Sequence, residues 1–256
     1  MTRTKTPPAQ APAILAGVEL PEGVYPTGLL QAGFVNVRML LNTNRMGVFD
    51  GPPGTGKTTA ARICAEYAGR PVINIQMSHR PSPLEILRLL LRDLTGVMGS
   101  GTKSEMEEEL RYLLSDWHGL LIIDEVQNLG AAGIQEVRYL HEVSGMGFAL
   151  LFVGWDAVNT MKKYPDMESR LFVRVDFAPL TGEELLQTVR GLHATLADTA
   201  VEVIRHINDI ACKGNLRLWD QFRAALDALR VPGPLTIATA DMVVELIRLG
   251  GPEAAS

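Results

Sequence analysis

The stretch Gly51-Pro-Pro-Gly-Thr-Gly-Lys57-Thr58 constrains this chain more than any other, because it fits the pattern G-x-x-x-x-G-K-[ST] of a phosphate-binding loop. Gly51, Gly54 and Gly56, spaced by Pro52, Pro53 and Thr55, let the backbone take positive φ and turn its N–H groups inward around a polyphosphate. Lys57 supplies a point charge for the β and γ phosphates, and the Thr58 hydroxyl is placed to ligate Mg²⁺. The loop requires a strand before it and a helix after it. Met46 to Asp50 can be a short buried strand, and Thr58, Thr59 and the residues to Ala68 make a helix closed by Gly69. The loop residues from Gly51 to Thr59 are therefore expected to hold ATP with Mg²⁺.

A second feature gives the first its chemistry. Leu120-Leu-Ile-Ile is an apolar strand that delivers Asp124 and Glu125 at its C-terminal end. In an open parallel sheet, ligands collect at the carboxyl ends of the strands. Asp124 is then placed to reach the Mg²⁺, and Glu125 to face the water that attacks the γ phosphate. The alternative for the pair is a strand that simply ends in solvated acids.

The 256 residues suffice for one large domain, or for a core domain with a smaller appendage. A net charge of −5 argues against nucleic-acid binding by the whole surface, although a local basic patch does not show in that sum. Cys64 and Cys212 offer neither a C-x-x-C spacing nor a disulfide framework, which suits a reduced, cytoplasmic setting. No apolar run approaches the length of a membrane span.

Residues 1–13, with Pro7, Pro8 and Pro12, read as a flexible tail. Strands are expected over Pro71–Met77, Phe148–Val153 and Phe172–Phe177, and helices over Leu84–Leu94, from Ser104 onward and over Ala131–Val143. This alternation predicts an α/β fold with a parallel sheet covered on both faces, over residues 14–179. From Thr181 the pattern is helical only, over Glu183–Leu196, Val201–Ala211, Leu216–Leu229 and Thr239–Leu249, so residues 180–256 are expected to form a small all-helical lid. His141 and His193 lie among apolar helical residues and read as structural.

A core of this kind, carrying GPPGTGKT and IIDE and followed by a helical bundle, resembles the AAA+ ATPases. Within them it looks like the TnsC, TniB and MuB group, which serves DNA transposition. The resemblance rests on Ile122 to Leu129 (IIDEVQNL), the strand ending at Gly154, Tyr164 to Leu171 (YPDMESRL), and Gly214-Asn-Leu-Arg217.

That resemblance implies a P-loop AAA+ fold with a helical lid, ATP hydrolysis, and assembly into a ring or filament on double-stranded DNA. It also implies a transposase as partner, with a target-selection protein as a further one. Arg170 falls where such ATPases present an arginine finger to the neighbouring subunit, with Arg174 as the alternative. Arg217 falls where the lid gives a sensor arginine to the γ phosphate. An ordinary ion-pair arginine is the structural alternative at each position. The DNA candidates implied are His79, Arg80, Arg88, Arg92 and Lys103, with Lys162 and Lys163 outside them. One departure concerns rate. The group has a small polar residue after the fourth strand to position water, whereas here Gly154-Trp155-Asp156 stands, which points to Asp156 as a substitute or to slow hydrolysis. Two rivals remain open: a helicase loader or initiator-like DNA ATPase, and a nucleotide-gated protein-interaction switch or chaperone without DNA.

Overall fold

The computed structural model describes residues 18–21, 24–77, 80–164, 167 and 169–250. Residues 1–17, which include the expected tail, and His79 lie outside the described residues, as do Pro165, Asp166 and Glu168 of the YPDMESRL segment. The order is α1 (Gly28–Thr43), β1 (Met46–Asp50), α2 (Lys57–Glu66), β2 (Val72–Gln76), α3 (Pro83–Thr95), α4 (Lys103–Ser115), β3 (Leu120–Asp124), a 3₁₀ turn (Val126–Asn128), α5 (Gly130–Val143), β4 (Ala149–Gly154), α6 (Ala157–Lys162) and β5 (Leu171–Asp176). The helices α7 (Gly182–Leu192), α8 (Ala194–Ala197), α9 (Val201–Ile207), α10 (Leu216–Leu229) and α11 (Ile237–Gly250) follow, with a π-helical turn over Asn208–Cys212.

The five strands pair in parallel in the order β2-β3-β4-β1-β5. Apolar content tracks this order. The runs of β3 and β4 are buried at every residue, as a parallel strand covered on both faces requires. The edge strands β2 and β5 alternate buried and exposed residues instead. Asp50 pairs in register with Gly154, and Gln76 with Asp124, so β1, β3 and β4 end at the same margin of the sheet.

The chain groups into two compact units. One comprises residues 32–53 and 57–177; the other comprises the described residues through Gln31, Gly54–Gly56 and those from Ala178 onward. In the first, Ile86, Leu87, Leu90 and Leu91 of α3, Met106, Leu110 and Leu114 of α4, and Ile134, Val137 and Leu140 of α5 pack in one core with Leu121, Ile123, Leu150 and Phe152 of the sheet. Capping fixes where α3 and α4 begin. Ser82 with Glu85, and Thr102 with Glu105, form reciprocal boxes in which each side chain satisfies the other's backbone N–H. The second helix therefore opens at Lys103 with Thr102 as its cap, one residue before the expected Ser104.

In the second unit, α7, α9, α10 and α11 enclose a core around Trp219 and Phe222, whose rings meet edge-on at 5.9 Å. The helix expected over Glu183–Leu196 is two helices. His193 breaks it in an extended conformation (φ −156°, ψ 143°), and its Nδ1 accepts from the Thr195 N–H at 3.1 Å, capping α8. The helix expected over Val201–Ala211 widens into its π turn at Asn208, whose side-chain oxygen accepts from Gly214 N at 2.6 Å.

Burial predicts how the sheet responds to truncation. Phe152→Ala, in the fully buried β4, is expected to cost about 3–5 kcal/mol by loss of contacts and cavity formation. Phe172→Ala is expected to cost about 1 kcal/mol or less, since Phe172 is 41% exposed and lies under the Arg45 guanidinium on the edge strand. Urea unfolding midpoints of the two variants give the comparison.

Candidate active site

The site is built where β1 stops. Gly51 leaves the strand with φ of 145°, and a side chain there would run into the Phe177 carbonyl, so both the conformation and the close approach call for glycine. Asp50, the last residue of β1, holds three N–H groups. Its Oδ1 accepts from Gly51 at 2.8 Å and Ala157 at 2.9 Å, and its Oδ2 accepts from Val158 at 3.4 Å. One carboxylate thus fixes the start of the loop and the first turn of α6. Sequence reading misses Asp50, although an acid placed directly before the loop glycine is a legible signal.

Lys57 is 7% exposed, and its Nζ donates to the carbonyls of Gly51 and Pro52 at 2.6 Å each. The ammonium is folded onto its own loop. Thr58 is exposed at the first turn of α2, Thr59 is half-buried behind it, and Thr55 is buried while Pro52 and Pro53 face outward. Gly54 and Gly56 take φ of 79° and 92°, as the loop pattern requires.

Asp124 is 3% exposed at the end of β3 and accepts a hydrogen bond from the Thr58 side chain. Burial pushes its carboxyl above the ordinary 3.8; Thr58, the Glu125 N–H at 2.9 Å and the charge of Lys57 oppose that rise. A desolvated carboxylate touching a hydroxyl is a fitting pair of ligands for Mg²⁺, whose charge would replace the lost solvation. Glu125 follows in the left-handed region (φ 56°, ψ 44°), and its Oε2 accepts from Gln127 Nε2. Gln127 is a second residue that sequence reading misses.

Among the other expected site residues, Arg170, Arg174, Arg92 and Lys103 are engaged by carboxylates. Arg170, 45% exposed, pairs through Nη1 with Glu142 Oε1 at 2.6 Å, and Arg174 pairs with Asp176 at 2.6 Å. Arg217 is exposed on α10; within the helical unit its backbone N–H donates to the Gly54 carbonyl at 3.2 Å and to Asn215 Oδ1 at 3.0 Å. Arg88 and Arg92 share a cavity of about 590 Å³ beside β2 with Asn74, Gln76 and Met98, and Arg92 is paired with Asp93 at 2.7 Å. Lys103 is engaged by Glu107 at 2.6 Å and by the buried Glu136 at 2.7 Å, which leaves it less available to a phosphate than its charge suggests. Arg80, Lys162 and Lys163 are exposed.

His141 Nε2 lies 3.0 Å from the carbonyls of both Asn44 and Phe148, and burial lowers its pKa, so the ring is a neutral core group. Cys64 and Cys212 are buried thiols pushed up to about 12, unsuited to redox or nucleophilic work. Among the described residues no helix is long and apolar enough to cross a membrane.

Residues 40–161 match the AAA domain family. The solved structures agree: the Aeropyrum pernix ORC1 protein in complex with DNA superposes with a TM-score of 0.63 over 92% of this chain and 70% of that one, at 19% identity. The Drosophila ORC bound to DNA shares the fold at a TM-score of 0.65 and 16% identity, over 96% of this chain and 70% of that one. So does the Thermotoga maritima RuvB Holliday junction branch migration motor, at 0.55 and 16%, over 84% and 70%. In sequence, the chain is similar to the ATP-dependent target DNA activator B of Escherichia phage Mu and of Escherichia phage D108, each 34% identical over 143 residues and 53% of this chain. The match covers 44% of the length of each activator. This similarity agrees with the resemblance to the TnsC, TniB and MuB group.

The state of Asp124 gives a test of the site without nucleotide. A carboxylate raised on folding favours the folded chain below its ordinary value, and that contribution is lost as pH climbs through the folded value. At pH 7 the ionised Asp124 therefore opposes folding of the nucleotide-free chain. Asp124→Asn is expected to raise the thermal midpoint at pH 7, with the gain shrinking as the pH falls through the raised folded value and gone below the ordinary 3.8, and to lose Mg²⁺-dependent nucleotide binding. Thermal melts across pH and a Mg²⁺ titration of nucleotide affinity check both parts.

Proposed function

We propose that the chain is an ATP-dependent, DNA-binding AAA+ regulator of transposition. It assembles on duplex DNA when ATP is bound, recruits and stimulates a transposase, and disassembles on hydrolysis. The observation that carries the ATPase part is the Thr58–Asp124 hydrogen bond at the margin where the loop of Lys57 also ends up. The client is supported by the 34% identity with a protein described as an ATP-dependent target DNA activator. In this reading residues 14–179 form the nucleotide-binding domain and residues 180–256 its lid.

The residues take the following roles. Lys57 exchanges the carbonyls of Gly51 and Pro52 for phosphate oxygens, a trade favoured because an anion is a stronger partner for an ammonium than a neutral dipole. Thr58 and Asp124 hold Mg²⁺, which neutralises charge on the phosphates. Glu125 orients the attacking water. Arg170 leaves Glu142 to reach the nucleotide of a neighbouring copy. A half-exposed ion pair contributes about 0–1 kcal/mol, so this release is cheap. Arg217 reads the γ phosphate from the helical unit. Arg80, Arg88 and Arg92 address DNA phosphates, which gives affinity with little sequence preference and a steep dependence on salt.

Two measurements test the reading. Retention of duplex DNA, followed by mobility shift and electron microscopy, is expected with ATP or a non-hydrolysable analogue. It should disappear with ADP, with raised salt, and in Lys57→Ala. ATP binding without DNA retention at low salt would sink the DNA part and leave an interaction switch. For the finger, Glu125→Gln and Arg170→Ala chains are each expected to lose hydrolysis, the latter by about 10³-fold or more. A mixture of the two is expected to recover activity, since the first supplies an arginine to the intact site of the second. No recovery on mixing would remove Arg170 from the trans role.

A further inference from the structure

We infer that Gln127 is a positioning residue which sets the direction of the Glu125 carboxylate and ties it to the end of β4; this rests on the reading of Glu125 as the residue that orients water. A primary amide has one donating and one accepting end, and here both are used. Nε2 donates to Glu125 Oε2, and Oε1 accepts from the backbone N–H of Trp155 at 3.2 Å. The reverse orientation would set an oxygen against a carboxylate and an N–H₂ against an N–H. The two partners therefore fix the amide in a single sense.

The surroundings are shaped around that amide. Gly154 closes β4, and a Cβ built there would overlap Gln127 Oε1 and approach Val126 Cγ1 at 3.0 Å. Gly154 has no left-handed φ to explain it. The space beside the strand end does, because it is filled by Gln127.

The backbone beneath Gln127 is pinned as well. Val126 and Leu129 are buried, Asn128 N donates to the Glu125 carbonyl at 2.8 Å, and Asn128 Nδ2 donates to the Met77 carbonyl at 2.8 Å. Glu125 itself is held in the left-handed region, with its N–H on Asp124 Oδ1. A short side chain on a rigid turn thus grips a carboxylate whose own backbone is constrained. The end of β4, where the exposed Trp155 indole makes no such contact, acts through its main-chain N–H. A displacement of β4 is transmitted to Glu125 through one amide.

The test is steady-state ATP hydrolysis by the full chain on duplex DNA, with nucleotide affinity measured separately by a fluorescent analogue. Gln127→Ala is expected to lower kcat about 10- to 100-fold, the size of effect that misplacement of a reacting group produces, with KM and affinity within about twofold of the parent. Removing the amide leaves the Trp155 N–H and the Glu125 Oε2 to be satisfied by water, so the fold should hold. Gln127→Glu, which keeps the shape but replaces the donor by an acid, is expected to fail as well.

Gly154→Ala supplies the discriminating arm. Alone it should lower kcat by a similar factor, by displacing the amide. In the Gln127→Ala background it should add less than about a further threefold, since the severe overlap is then gone and only the closer-than-usual approaches to Val126 Cγ1 at 3.0 Å and Val126 N at 3.1 Å remain. A kcat that is unchanged or raised in Gln127→Ala overturns the inference, as does a loss that follows nucleotide affinity or a pair of substitutions that multiply independently. Glu125→Gln separates the two levels. If it abolishes turnover while Gln127→Ala does not, only the tether is wrong; if it turns over normally, or if the parent hydrolyses no ATP, the reading of Glu125 falls and the tether with it.

Discussion

β1 has neighbours on both sides, β4 and β5, and the chain leaving it must turn at once because the Phe177 carbonyl occupies the ground beside Gly51. Only a residue without Cβ can make that turn at φ of 145°. The turn exposes the Gly51 N–H, which Asp50 takes up together with two N–H groups at the start of α6. The phosphate loop is therefore anchored to β1 and α6 by one side chain and placed against β5 by one close approach. The backbone that would receive phosphate takes its curvature from these contacts.

Charge at the margin is arranged so that both signs are desolvated together. Asp124 is nearly inaccessible to water, and burial raises its carboxyl even though Thr58, a backbone N–H and Lys57 pull the other way. Lys57 in turn rests on two neutral carbonyls. An anion near the loop and a cation near Asp124 each find a partner whose present contacts are weaker than the ones on offer. Neither ion is as welcome alone, because each would leave the other's partner desolvated. The proposed joint binding of Mg²⁺ and polyphosphate rests on this arrangement.

Much of this is legible in the residues. The uninterrupted apolar runs of β3 and β4 announce strands buried on both faces, and the alternation in β5 announces an edge. Gly51 to Thr58 and Asp124 are legible because their chemistry depends on spacing along the chain. What escapes depends on partners far apart in sequence. The apolar pattern continues straight across His193, so nothing periodic marks the break; it arises because the imidazole outcompetes the helix for the Thr195 N–H. Lys103 reads as a free cation until Glu136, from another helix, is found against it. Gln127 reads as a polar residue in a turn until the fold brings the end of β4 against its amide.

The proposed assembly turns on the arginines. Arg170 and Arg174 both end in carboxylates on side chains that are 32% and 61% exposed, and exposed pairs hold side chains loosely, although the Glu142 Oε1 that Arg170 meets is itself buried. Groups that complete a site by attack from outside must be kept somewhere while no neighbour is present, and a weak surface pair keeps such a group extended without committing it. Glu136 and Lys103 show the opposite case: a buried carboxylate holds its lysine in an environment where release would leave a desolvated charge. By that criterion Lys103 is held by a buried carboxylate while Arg174 rests on an exposed one. The distinction between these charges lies in the burial of the carboxylate, since the cation is half-exposed in every one of these pairs.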